Sequence, residues 1–158
     1  MSFVKASVRR VIRKYHTNDP FLIADQRNIL VFHRPLGKIY GFFTSSRRVS
    51  MIYLNSNLEG PFRRFVCAHE LGHAIIHPKI NTPFLRQNTL FSVDRVEREA
   101  NTFSVELLMP DDELAKLREM GLTIREAASQ YGVPPDLATL KQFDPYNYET
   151  ILKGGYTI

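Results

Sequence analysis

The stretch Cys67-Ala68-His69-Glu70-Leu71-Gly72-His73-Ala74-Ile75-Ile76-His77 constrains this chain more than any other. It holds two histidines four positions apart, with a glutamate directly after the first. On a helix, residues i and i+4 share one face about one turn apart. Both imidazoles can therefore converge on one ion, and Glu70, rotated slightly round the helix, can reach a water beside it. Neutral histidines on the metal, an open coordination position and a carboxylate to take a proton are the parts of a catalytic zinc site. The helix should start near Gly60-Pro61 and run to about His77, since Pro78 forbids continuation. Phe65, Val66, Cys67, Ala68, Leu71, Ala74, Ile75 and Ile76 make it apolar on most sides, which places it at the centre of a domain. Two histidines and a glutamate are costly to bury there without a purpose, and a metal supplies one.

Two histidines need a third protein ligand. A second helix is expected after a proline-containing loop from Lys79 to about Phe91. Ser92 or Asp94 can cap it, Val96, Ala100, Phe103, Leu107 and Leu108 keep helical spacing, and Met109-Pro110 closes it. Of its acids, Glu97 has a polar companion one turn on, Asn101, placed to hydrogen-bond a ligating histidine. Glu97 is the expected ligand, and Glu99, beside two arginines, reads as an exposed charge. His77 is one turn too far along to ligate and reads as a surface histidine at a helix end, where the dipole favours it. His16 and His33 lack ligand spacing.

The remaining chain supplies a platform. Val4, Val8, Val11 and Ile12 give residues 2–15 an amphipathic helical pattern, with Lys5, Arg9, Arg10, Arg13 and Lys14 expected as a solvated basic face. Asp19-Pro20 suits a new helix start, with a short helix through Phe21–Arg27. Apolar runs at 29–32, 39–43 and 49–54, separated by Pro35-Leu36-Gly37 and by a polar turn at Ser45-Ser46-Arg47-Arg48, suggest three strands of a small sheet. Asp111-Asp112-Glu113 opens a third helix that Gly121 ends. Residues 123–140 have helix-turn-helix spacing: small at 128, glycine at 132, apolar at 133, 137 and 140. The second arm, however, starts Pro134-Pro135-Asp136 and has only Lys141 and Gln142 near its far end to meet bases or phosphates. A hairpin used for packing or protein contact is expected, and DNA binding is not.

At 158 residues, with 44% hydrophobic and 23% charged residues, the chain can build one core. A net charge of +5 favours acidic or nucleic-acid partners without selecting one. One cysteine excludes an internal disulfide, and no apolar run reaches membrane-spanning length, so a reducing cytoplasm is expected. Cys67 lies nearly opposite the metal-facing positions and should be a small buried hydrophobe.

Three segments taken together resemble ImmA/IrrE-type metallopeptidases: His69-Glu70-Leu71-Gly72-His73 with its flanks, Glu97-Arg98-Glu99-Ala100-Asn101-Thr102-Phe103, and Leu107-Leu108-Met109-Pro110. The similarity covers roughly residues 17–143. It implies a gluzincin-like site in which His69, His73 and Glu97 hold Zn²⁺ and Glu70 is the general base. It further implies a substrate, a helix-turn-helix repressor of a phage or mobile element, whose cleavage derepresses genes. Pro134-Pro135 departs from the serine-like helix starts of related chains. The expected architecture is α+β: a mainly helical zincin-like domain with a small three-stranded sheet and a C-terminal helical hairpin resembling a helix-turn-helix. Its parts would be a basic N-terminal helix (1–16), the metallopeptidase domain (17–120), and the hairpin with its tail (121–158). The rival reading is a non-proteolytic regulator that binds a repressor or DNA and senses metal or stress. Tyr53, His77 and Tyr131 are candidates for stabilising an oxyanion by their chemistry alone.

Overall fold

A computed structural model describes residues 2–80, 85 and 89–143. In chain order it has helices α1 (Phe3–Tyr15) and α2 (Pro20–Gln26), then strands β1 (Ile29–Arg34), β2 (Gly41–Ser46) and β3 (Val49–Asn55). Helices α3 (Gly60–Ile76), α4 (Arg95–Leu108), α5 (Asp111–Glu119) and α6 (Ile124–Gln130) follow, and a 3₁₀ helix spans Pro135–Leu140. The architecture is α+β, with a mixed three-stranded sheet.

The strand order is β1-β3-β2, with β3 parallel to β1 and antiparallel to β2. Period-2 alternation sends Phe43, Ile52 and Leu54 inward against α3, where they are buried. β2 continues past the expected turn: Ser45 pairs Ser50 and Ser46 pairs Val49. The hairpin turns instead on Arg47 and Arg48, both at positive φ (49° and 68°), as a two-residue turn matched to strand twist demands. Asn55 ends β3 with a structural task. Its side chain is buried and donates to the Gly37 and Ile39 carbonyls at 2.9 and 2.8 Å, fixing the β1–β2 connection.

α3 lies between the sheet and α4, so the burial of its middle, residues 65–74, on all sides follows from the layering. Gly41 lets β2 pass close over it; a Cβ there would come within 3.0 Å of Val66 and 2.8 Å of the Tyr53 carbonyl. Gly72 does the same toward α4, where a Cβ would sit 3.2 Å from the Phe103 ring. Cys67 is fully buried, and burial pushes its thiol pKa up, as expected of an inert core residue.

α1 packs its Val4, Val8 and Val11 into the same core. The expected solvated basic face is corrected at Lys5, which is 4% exposed. It joins Glu106 (3.5 Å) and Lys141, both buried, and the partly exposed Asp111 (2.9 Å) in a charged quartet tying α1 to α4, α5 and the segment after the 3₁₀ helix. Arg10, Arg13 and Lys14 are exposed. The C-terminal hairpin opens on a Thr123–Glu126 capping box. Its second arm is a 3₁₀ turn, because Pro134-Pro135 removes two amide donors from its start. Ala128, Val133 and Leu137 are buried, so the helix-turn-helix spacing serves packing. The tail from 144 lies outside the described residues, as do residues 81–84 and 86–88 of the loop that precedes α4.

Candidate metal centre

His69 and His73 project from consecutive turns of α3 at zero exposure, and Glu97 meets them from the first turn of α4. The two Nε2 atoms are 3.1 Å apart, and each is within 3.4 Å of a Glu97 carboxylate oxygen. These three donor atoms all lie within 4.8 Å of one another, the one such group of three or more among the described residues.

The donor set tests well as a metal site. Asn101, one turn after Glu97 and 1% exposed, accepts from His69 Nδ1–H at 2.8 Å and donates to the Leu90 carbonyl at 2.7 Å. The second bond orients the amide, so its oxygen faces the ring; His69 therefore keeps its proton on Nδ1 and turns a lone pair inward from Nε2. Both Glu97 oxygens are buried and make no hydrogen bond of ordinary geometry, and the same holds for both Glu70 oxygens. Buried carboxylate oxygens without an ordinary donor are unfavourable unless a cation stands beside them.

The three groups shift one another's protonation. Burial alone would raise the Glu97 pKa, but the two imidazoles overcome it and hold the carboxyl down at about 2. His73 is lowered to about 4, chiefly by burial, so this ring is neutral at physiological pH, as a ligand must be. Burial would lower His69 too; there the Glu97 and Glu70 carboxylates reverse the sign and raise it.

Glu70 follows His69 by one residue, about 100° round the helix. Burial dominates its pKa and Glu97 adds to the effect; the charge of His69 and the backbone of Phe43 on β2 oppose them, leaving it at about 8.

Helix boundaries explain the convergence. Asp94 caps α4, its carboxylate accepting from Val96 N–H at 2.9 Å, which sets Glu97 in the first turn facing α3. A family model described as IrrE N-terminal-like domain, Peptidase M78, matches residues 24–141. The chain belongs to this metallopeptidase family. It is 47% identical over 141 residues to immunity region protein 2 of Bacillus phage phi105, covering 89% of each chain. To Metallopeptidase ImmA of Bacillus subtilis it is 29% identical over 135 residues, covering 83% of this chain and 79% of that one.

Two expectations need correction. His77 is no surface histidine: its side chain is 11% exposed, with Nε2 3.0 Å from Glu99. Glu99, expected as an exposed charge, is 20% exposed and also takes Arg95 at 2.8 Å. The signal was present in the register of two antiparallel helices, but pairing α3 with α4 was needed to read it. Of the oxyanion candidates, Tyr53 is stacked between Phe32 and Phe42, and burial with a hydrogen bond to Glu113 pushes Tyr131 up to about 12. Sequence reasoning missed the Leu90 carbonyl and Phe43, whose contributions are backbone groups without a residue-type signature.

Proposed function

We propose that the chain is a cytoplasmic zinc endopeptidase whose substrate is a helix-turn-helix repressor of a phage or mobile element. The observation that carries this reading is the convergence of His69, His73 and Glu97 with a fully buried Glu70 directly after the first of them. His69 through its Nε2, His73 through its Nε2 and Glu97 through its carboxylate would hold the ion. When bound, Zn²⁺ supplies Lewis acidity, lowering the pKa of a water and polarising a carbonyl. Glu70 takes the proton of the attacking water and delivers it to the leaving amine. Asn101 keeps the His69 ring in its working tautomer, and the sheet and α4 hold water away from the core side of the site. Three protein ligands with an acid–base carboxylate favour catalysis over a closed structural site, which wants four.

The repressor assignment draws on two relatives, one named as a phage immunity region protein and one as ImmA. No helix among the described residues is long and apolar enough to cross a membrane. The test is co-expression with the helix-turn-helix repressor encoded beside the gene, reading fragment masses with wild type and Glu70→Gln. Cleavage by wild type alone is expected, and the masses locate the bond. An intact repressor co-purifying with both proteins would favour the binding regulator instead.

A further inference from the structure

The sheet has a second face. Register sends Leu30, Phe32 and Arg34 of β1, Val49, Met51 and Tyr53 of β3, and Phe42 and Thr44 of β2 away from α3. A sheet packed on one side normally alternates to polar residues on the other. Here the outer side is mostly apolar. Leu30 is 48% exposed and Val49 43%, and Phe32, Met51 and Tyr53 are only half-buried. The helices that meet the sheet include α3 on its inner side and α2, whose Phe21 stacks on the inward-facing His33 of β1.

The charge around it is one-sided. From residue 26 to 58 the chain has Arg27, Arg34, Lys38, Arg47 and Arg48 and no aspartate or glutamate. Those five cations equal the whole net charge of +5, so the rest of the chain is neutral on balance. All five are exposed, and three of them border this face: Arg34 lies over the Phe32 ring at 5.7 Å, and Arg47 and Arg48 form the hairpin tip at the end of the apolar rows, whereas Arg27 turns to the Tyr15 hydroxyl of α1. An exposed apolar patch with a rim of single sign marks an interaction surface.

The ring geometry decides between partners. A nucleic-acid strand would need ring faces on which bases stack. Tyr53 lies between Phe32 and Phe42 with centroids 5.2 and 4.8 Å apart and interplanar angles of 28° and 13°. The rings therefore spend their faces on one another. Duplex phosphates would satisfy the arginines but leave Leu30, Val49 and Met51 uncovered. We propose that this sheet face docks a protein partner that presents apolar side chains ringed by carboxylates. It lies across the sheet from α3, so the proposal stands apart from the peptidase reading.

The test uses the full chain and fluorescence anisotropy. The probes are a short labelled peptide of alternating leucine or phenylalanine with aspartate or glutamate, a peptide of equal charge with serine at the apolar positions, and single-stranded and duplex DNA. The mixed peptide is expected to bind about tenfold or more tighter than the serine peptide. Arg47→Glu with Arg48→Glu, and separately Leu30→Ser with Val49→Ser, should each remove most of that advantage. These positions are exposed, and circular dichroism checks that the variants fold. Equal affinity for the two peptides, tighter binding of DNA, or no binding of the mixed peptide would overturn the proposal. So would a dimer in sedimentation that Leu30→Ser with Val49→Ser dissolves, because the occupant would then be a second copy.

Discussion

Asn101→Ala separates what holds the metal from what holds the fold. Asn101 is 1% exposed and makes two buried hydrogen bonds, from His69 Nδ1–H and to the Leu90 carbonyl. Truncation leaves both groups without a partner, at about 1–3 kcal/mol each. Allowing for relaxation, the metal-free protein should lose about 2–4 kcal/mol, or roughly 4–16 °C in Tm for a chain of this length. The His69 ring is also freed to rotate or to move its proton to Nε2, where it would oppose the ion. Loss of such a partner typically costs about 10–100-fold in metal affinity. Competition against a chromogenic chelator measures that term, and thermal unfolding of the metal-free protein measures the other. Asn101→Asp gives a second check, since a carboxylate still accepts from Nδ1–H but cannot donate to Leu90. It should keep zinc affinity better than Asn101→Ala while losing stability. A parental zinc affinity in Asn101→Ala would refute the positioning argument.

Other outcomes follow from the packing and the charges. Gly132 has φ +73° and a Cβ there would lie 2.1 Å from the Pro61 carbonyl carbon, so Gly132→Ala should cost about 2–4 kcal/mol in denaturant unfolding. Gly121 has φ +82° with nothing within 4 Å, so Gly121→Ala should cost only about 1 kcal/mol of backbone strain. Lys141→Met leaves Glu106 short of its 2.7 Å partner inside the core and should destabilise by about 3 kcal/mol. Burial alone would raise the Asp111 pKa, but Lys141 and Lys5 hold it below its ordinary value of 3.8. The folded state therefore binds that proton less readily than the unfolded chain. Its stabilisation is present above about pH 4 and is lost as pH falls through the folded pKa. Unfolding midpoints of the metal-free protein below pH 4 should fall less steeply in Asp111→Asn than in the parent.

The sequence was most legible where chemistry and local rules coincide. Helical spacing placed His69 and His73 on one face, Pro78 and Asp94 bounded the helices, and Asn101, one turn from Glu97, was readable as a hydrogen-bond partner for a histidine. What failed was tertiary. Lys5 looked like part of a solvated face because its partners, Glu106, Asp111 and Lys141, are about a hundred residues away or more. The fate of His77 and Glu99 depended on the register between α3 and α4, which neither helix states alone. β2 ran past Ser45-Ser46 because hairpin geometry, set by the positive φ of Arg47 and Arg48, outweighed the polar composition of those serines. The Pro134-Pro135 pair, by contrast, was readable as trouble for a recognition helix, and the arm is a 3₁₀ turn.

The measurement that bears most directly on the catalytic account is repressor cleavage by chelator-stripped protein during titration with Zn²⁺, followed by mass spectrometry. Activity should be absent at the start, rise linearly and level off at one equivalent. Glu70→Gln should bind the same single equivalent and cleave nothing. Cleavage by the stripped protein, or by Glu70→Gln at the parental rate, would contradict it.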